Sequence, residues 1–197
     1  MGYPKASESG GQINPIKNCS LYIPNEKDGM DIQFQALPTV TDGKGAKYDP
    51  TPVIGRANPL VTFANSDLRT ISLDCPFFVT STKGNSDSIG TVAYNLKALR
   101  AISSAVYPRK GGGGVTYRPP PVCVLTFGAF LATANTATLS PLSLCVIIDK
   151  YSVKNDPAVP SDPDTLCPYK FTVNVSMIKV YTSQDLPNQD RIWRQGA

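Results

Sequence analysis

The sequence predicts a mainly β chain with one flanking α-helix. Three observations carry this expectation. Apolar and polar residues alternate with period two in one stretch after another, which is the pattern of half-buried strands. Only residues 91 to 106 carry an apolar stripe at three- and four-residue spacing. Eighteen prolines in 197 residues, against an average share of about 5%, cut the chain into segments too short for long helices.

Residues 1 to 18 are rich in Gly, Ser, Pro and charge and read as an arm that a partner must order. The body of the fold is expected over 19 to 183, with order beginning near Leu21. Residues 30 to 37 alternate, placing Ile32 and Phe34 on one strand face. Residues 39 to 52 read as a loop, because Asp42-Gly43 and Gly45 favour turns and Pro50 and Pro52 cannot extend a central ladder. A short strand at 60 to 63 and a turn at 65 to 67 lead into a longer strand at 68 to 79. There Ile71, Leu73 and Cys75 face one way and Thr70, Ser72 and Asp74 the other. The helix is marked by Val92, Leu96, Leu99, Ile102 and Val106, with Asp87 or Ser88 as its expected cap and Pro108 past its end.

Four glycines at 111 to 114 leave a helix C-terminus and enter a strand, the wrong setting for a phosphate cradle. Pro119 to Pro121 read as a rigid spacer. Strands are expected at 122 to 131, at 142 to 153 with Leu142, Leu144, Val146 and Ile148 on one face, and at 169 to 181. In the last, Phe171, Val173, Val175 and Met177 share one parity and Ile178 and Val180 take the other, which suggests a bulge or a strand that passes from one buried environment to another. Residues 155 to 164 form a turn-rich loop, and 184 to 197, with Trp193, read as a docking tail.

Composition removes several mechanisms. With no His there is no Ser-His-Asp or Cys-His catalysis, no His-bearing zinc site and no imidazole switch. Charged residues are 17% of the chain and the formal charge is +4 with no basic run longer than Arg109-Lys110, too diffuse for a nucleic-acid stripe. Five cysteines, an odd number without CxxC spacing, fit reduced thiols in a reducing cytosol. No stretch approaches the roughly 18 apolar residues of a membrane span, and the start lacks an apolar signal region, so no membrane insertion is expected. Ser176 and Lys179 have Ser-x-x-Lys spacing but fall on opposite faces of a strand. Asp156, Asp162 and Asp164 lie in a loop without the Gly and terminal Glu of a calcium-binding hand. No catalytic, cofactor-binding or metal-binding residue is assigned, and the chain is not expected to be an enzyme.

The order of motifs suggests a family. Leu37-Pro38 is followed by Tyr48-Asp49-Pro50, then Ile54-Gly55-Arg56-Ala57-Asn58-Pro59-Leu60 and Leu68-Arg69-Thr70-Ile71-Ser72-Leu73. A single Leu-rich helix follows, and then Tyr117-Arg118-Pro119-Pro120-Pro121-Val122-Cys123-Val124-Leu125-Thr126-Phe127-Gly128 before two long strands. Over about residues 20 to 183 this run resembles the tail-tube-like domain of phage baseplate hub proteins and related contractile injection systems, especially tube initiators between spike and tube. The resemblance implies a β-sandwich or split barrel with one flanking helix, six copies of which form a ring walled by a continuous β-barrel. It implies a virion protein of the tail baseplate, assembled in the host cytoplasm beside hub, spike, tube and wedge proteins.

A strand that is apolar on one face and rich in Ser, Thr and Asn on the other suits such a wall on its own account. Lys170, Thr172, Asn174 and Ser176 are therefore expected to line a channel that passes DNA without specific binding. The glycine insertion at 111 to 114 and the lack of an appended peptidoglycan-binding module leave initiator, tube subunit and hub adaptor open. The alternative from another class is a stand-alone β-sandwich module binding carbohydrate through loops 39 to 52 or 155 to 168. Such loops usually expose aromatics, and Tyr48 stands alone in the first.

Overall fold

The computed structural model describes residues 16–24, 29–52, 54–55, 57–81, 87–110, 117–135 and 137–180. The arm up to residue 15, the four glycines and the tail lie outside them. Along the described chain the elements are β1 (Cys19–Ile23), β2 (Met30–Gln33), β3 (Thr39–Gly43), β4 (Ala46–Thr51), β5 (Leu60–Ser66), β6 (Thr70–Phe78), α1 (Val92–Val106), β7 (Arg109–Lys110), β8 (Tyr117–Arg118), β9 (Cys123–Phe127), β10 (Thr133–Asn135), β11 (Ser140–Pro141), β12 (Leu144–Asn155) and β13 (Lys170–Lys179). Seven strands form one antiparallel sheet in the order β2-β1-β9-β12-β13-β6-β3, and three two-stranded ribbons, β4-β5, β7-β8 and β10-β11, stand beside it. The described residues are thus mainly β with one helix, as the periodicities predict. Among the described residues the second layer over the sheet is the helix, not another sheet of comparable size.

The connection between β2 and β3 forces the sheet to curl. These strands are the two edges, yet only the steps from residue 33 to residue 39 join them. That stretch of chain spans at most about 21 Å, whereas seven strands laid flat are about 29 Å across. Residues 34 and 35 show the closure directly. The Phe34 amide donates to the Cys19 carbonyl of β1 at 3.5 Å, and the Gln35 side chain accepts from the Phe78 amide at the far end of β6 at 2.6 Å.

The register explains why a side chain is needed there. β3 begins at Thr39 opposite Asp74, so the next outward-pointing backbone groups of β6 belong to Pro76 and Phe78. Proline has no amide to satisfy, which suits an edge. Phe78 has both groups, and both are met by side chains: Gln35 Oε1 takes its amide, while Asn95 Nδ2 of the helix donates to its carbonyl at 3.0 Å. Gln35 Nε2 then donates to Asn95 Oδ1 at 2.9 Å, so two buried amides close a small polar network. On the other edge, the Tyr94 hydroxyl accepts from the Gln33 amide at 2.9 Å and donates to its carbonyl at 3.2 Å, leaving no free backbone at that position to pair with another strand.

The helix starts at Thr91, not at Asp87 or Ser88. Its hydroxyl accepts from the Tyr94 amide at 3.1 Å and donates to the Ser88 carbonyl at 2.7 Å. Asp87 pairs instead with Lys97 at 2.7 Å. The buried face is also displaced from the leucine stripe. Ala98, Ile102 and Ala105 are fully buried, with Val92, Tyr94 and Asn95 beside them, whereas Leu96, Leu99 and Val106 pack only partly against the core. Small residues at the contact let the helix backbone approach the sheet, and the larger leucines flank it.

Beneath the helix, alternate residues of the strands make the core. Ile71, Leu73, Cys75 and Phe77 of β6 and Phe171, Val173, Val175 and Met177 of β13 are all buried. Phe77 and Phe171 are register partners whose rings stack with centroids 5.3 Å apart and planes 10° from parallel. The parity switch expected in the last strand is not found there; the irregularity lies in its neighbour, β12. β13 alternates without interruption to Met177, and the register shift falls in β12 between Ile148 and Lys150. Before Asp149 the inward residues are Leu144, Val146 and Ile148; after it they are Tyr151 and Val153.

Residues 39 to 52 are not a loop. They supply β3 and β4, and with β5 and β6 they form one long hairpin whose inner half belongs to the sheet and whose outer half, β4-β5, projects beyond it. The expected turn at 65 to 67 is likewise mostly strand, with the Asp67 amide bonded to the Gly45 carbonyl at 3.0 Å. Pro50 is tolerated because a two-stranded ribbon consists only of edges. At the joint of the two halves, Arg69 grips both oxygens of Asp42, at 2.8 and 2.6 Å, and donates to the Leu131 carbonyl at 3.0 Å. Lysine cannot reproduce this fork, so Arg69→Lys is expected to lower stability by about 1 kcal/mol. Equal urea midpoints for the two proteins would contradict that role.

A polar sheet face as the candidate functional surface

The four residues expected on a channel wall come together. Lys170, Thr172, Asn174 and Ser176 project from the face of β13 opposite the core, because their odd-numbered neighbours are the buried ones. Lys170 is exposed and the other three are half-buried. Across the ladder with β6, Ser176 lies opposite Ser72, Asn174 opposite Asp74, Thr172 opposite Pro76 and Lys170 opposite Phe78. Asn174 Nδ2 donates to Asp74 Oδ1 at 2.7 Å, and Lys170 Nζ sits 5.7 Å from the centre of the Phe78 ring. Asn174 and Lys170 are therefore tied to β6 as well as to their own strand.

On its other side β13 meets β12, and here sequence reasoning missed half of the surface. Lys150, Ser152 and Lys154 lie opposite Ser176, Asn174 and Thr172 and are exposed on the same outer face. Unbroken alternation from Leu144 would have sent both lysines into the core. Their charge was the available signal, since lysine is almost never fully buried, and the extra residue at Asp149 is what turns them outward. The face is consequently more cationic than four residues of β13 suggest, with Lys150, Lys154 and Lys170 against Asp74.

Of the three carboxylates in the loop after β12, Asp162 and Asp156 are engaged by the fold. Asp162 accepts from the Thr165 amide at 2.9 Å and from the Thr165 hydroxyl, while its own backbone bonds to Cys167 and Leu166, so it fastens the loop between β12 and β13. Asp156 caps the Ala158 amide at 3.0 Å. Among the described residues no three acidic or cysteine side chains converge as a metal site would require. Ser176 and Lys179 do fall on opposite sides of β13.

Four of the five thiols are buried and Cys145 is exposed. Burial pushes the Cys19 thiol up from an ordinary 9.0 to about 11, and it drives Cys75 further and Cys167 in the same direction. These groups stay protonated and behave as small apolar side chains. A thiol-specific disulfide reagent is expected to find one fast-reacting group in the native protein and five in denaturant; two or more fast groups would contradict the packing. Because the unfolded chain ionises first as pH rises, the contribution of Cys19 to stability is whole below about pH 9 and is lost between about pH 9 and 11.

Comparison with known proteins finds no family model that matches the chain and no matching curated protein. No described helix is long and apolar enough to cross a membrane.

Proposed function

We propose that the chain is a structural subunit of a bacteriophage tail baseplate: a tube initiator or hub protein, six copies of which form a ring between the central hub and spike and the tail tube. In this reading the curled sheet is a split barrel, the copies join sheet to sheet, and the polar face of β13 lines the DNA channel. The observation that carries it is that one continuous sheet is apolar toward its own helix and, over β12, β13 and β6, presents Ser, Thr, Asn and Lys outward. A subunit of a channel wall needs this division, with a complete core of its own behind a wet surface.

The wall chemistry suits transit. Hydroxyl and amide groups exchange hydrogen bonds with water freely, and the few lysines provide a diffuse attraction to phosphate that salt weakens, with no convergent base-reading set. The protein then acts through interfaces in the virion, assembled in the host cytoplasm, and performs no catalysis. Electron microscopy of the chain with neighbouring tail proteins tests this: a sixfold ring or a cap on the tube is expected. A chain that joins no tail protein but binds a glycan would overturn the reading in favour of a carbohydrate-binding module.

A further inference from the structure

The outer face of the sheet is not polar throughout. β13 keeps a single alternation through Met177, so Ile178 and Val180 continue the side that carries Ser176. Their neighbours across the ladders are apolar too. Ile147 of β12 is the register partner of Ile178, and the Val180 amide donates to the Cys145 carbonyl at 2.9 Å. Cys145 lies opposite Val124 of β9, and Val122 and Val124 flank the buried Cys123 and so share this face. The result is an apolar band across β9, β12 and β13. Polar rows bound it on both sides: Thr126 and Ser143, whose hydroxyls are 2.8 Å apart, toward one end, and Lys150 with Ser176 toward the other.

Val122 is 44% exposed and Cys145 is exposed as well, while the helix packs with the core on the opposite face. Strands apolar on both faces are normally covered on both, and a contiguous exposed apolar patch marks a contact surface. The chain supplies a cover at this place. Residues 181 to 197 follow directly from Val180, itself part of the band, and hold Leu186, Ile192 and Trp193, the single tryptophan. Other stretches are poorer candidates. Residues 25 to 28 and 82 to 86 have no apolar side chain and 111 to 116 have only Val115. The N-terminal arm joins at Ile16, whose amide bonds to the Phe34 carbonyl at 3.4 Å beside the β2 edge.

We infer that the C-terminal segment folds back and seats Trp193 on the band of Val122, Ile147 and Ile178 of its own sheet. Trp193 is thirteen residues past Val180, a length whose r.m.s. span as a coil is about 20 Å, and the band is two strand spacings, or about 10 Å, across. Tethering at that range gives a millimolar effective concentration. A contact too weak to join separate molecules in dilute solution therefore still closes within one chain. The contact is independent of the ring, and it leaves the rows of Lys150, Lys154 and Lys170 open.

Trp193 reports on itself, since no second tryptophan contributes. Acrylamide quenching of the full chain is measured in buffer and in urea, with Val122→Asp and Ile178→Asp inside the band and Ser176→Asp outside it, each checked by circular dichroism for an unchanged sheet. Val122, exposed before the first residue of β9, keeps the test usable where Ile178→Asp does not fold. Native Trp193 is expected to be quenched roughly threefold less readily than in urea, unchanged over about a hundredfold dilution of the protein. Both band variants should lose this protection and Ser176→Asp should keep it. As a second readout, Trp193→Ser should speed modification of Cys145 about threefold, with Cys145 the fastest thiol in both proteins. A native Trp193 quenched as in urea, protection that survives the band variants, or an unchanged Cys145 rate overturns the inference. Protection lost on dilution overturns it as well and gives the band to the tail of a second copy.

Discussion

Phe77→Ala is expected to destabilise the fold by about 3–5 kcal/mol, the usual cost of truncating a buried phenylalanine. Phe77 is 1% exposed and stacks on Phe171 across the β6-β13 ladder. The substitution removes both its burial and the ring partner of Phe171. The site has little freedom to collapse, because β6 is held on one side by β13 and at its end by the Gln35–Asn95 network. Urea denaturation of the purified variant measures it: a loss under 1 kcal/mol would mean that the ring stack is peripheral to the core. Since this cost is a large part of a typical domain's stability of about 5–15 kcal/mol, a substantial unfolded fraction is expected at modest warming.

Asn95→Leu is the second. Leucine is close in size and better suited to a helix, so packing and propensity alone predict a neutral or favourable change. The network predicts the reverse. Without the amide, the Phe78 carbonyl and Gln35 Nε2 lose their partners in a buried setting, and each orphaned group costs about 1–3 kcal/mol. A net loss of about 2–4 kcal/mol is expected. Gln35→Leu made together with Asn95→Leu should recover less than full stability, because the Phe78 backbone then has neither partner. A variant as stable as wild type would show that curling of the sheet does not depend on these amides.

Much of the fold was legible where burial is one-sided. β6 and β13 each bury every second residue over their length, so alternation alone places Ile71, Leu73 and Cys75 on one face, and Phe171, Val173, Val175 and Met177 on another. It also placed Lys170, Thr172, Asn174 and Ser176 on one outer face. β3 and β4 were missed for the converse reason: almost all their residues are exposed, so there is no alternation to read, and Pro50 argues against a central strand while permitting an edge. The lysines of β12 were missed because a single added residue at Asp149 inverts the parity after it. The closure of the sheet was beyond sequence reading altogether. It joins Gln35 to Asn95 and Phe78, residues far apart in the chain whose amides look like ordinary surface groups until the register brings them together.

The long hairpin of β3 to β6 combines two halves under unequal constraint. Its inner half carries Leu73, Cys75 and Phe77 into the core, so substitutions there are filtered by folding. No residue of β4 or β5 is buried, so substitutions in these two strands are expected to change the folding equilibrium little. The outer half can therefore diversify quickly under selection from whatever it meets, as an exchangeable address carried on a fixed frame. Transplanting another sequence of equal length onto it would retarget the molecule without redesigning its interior.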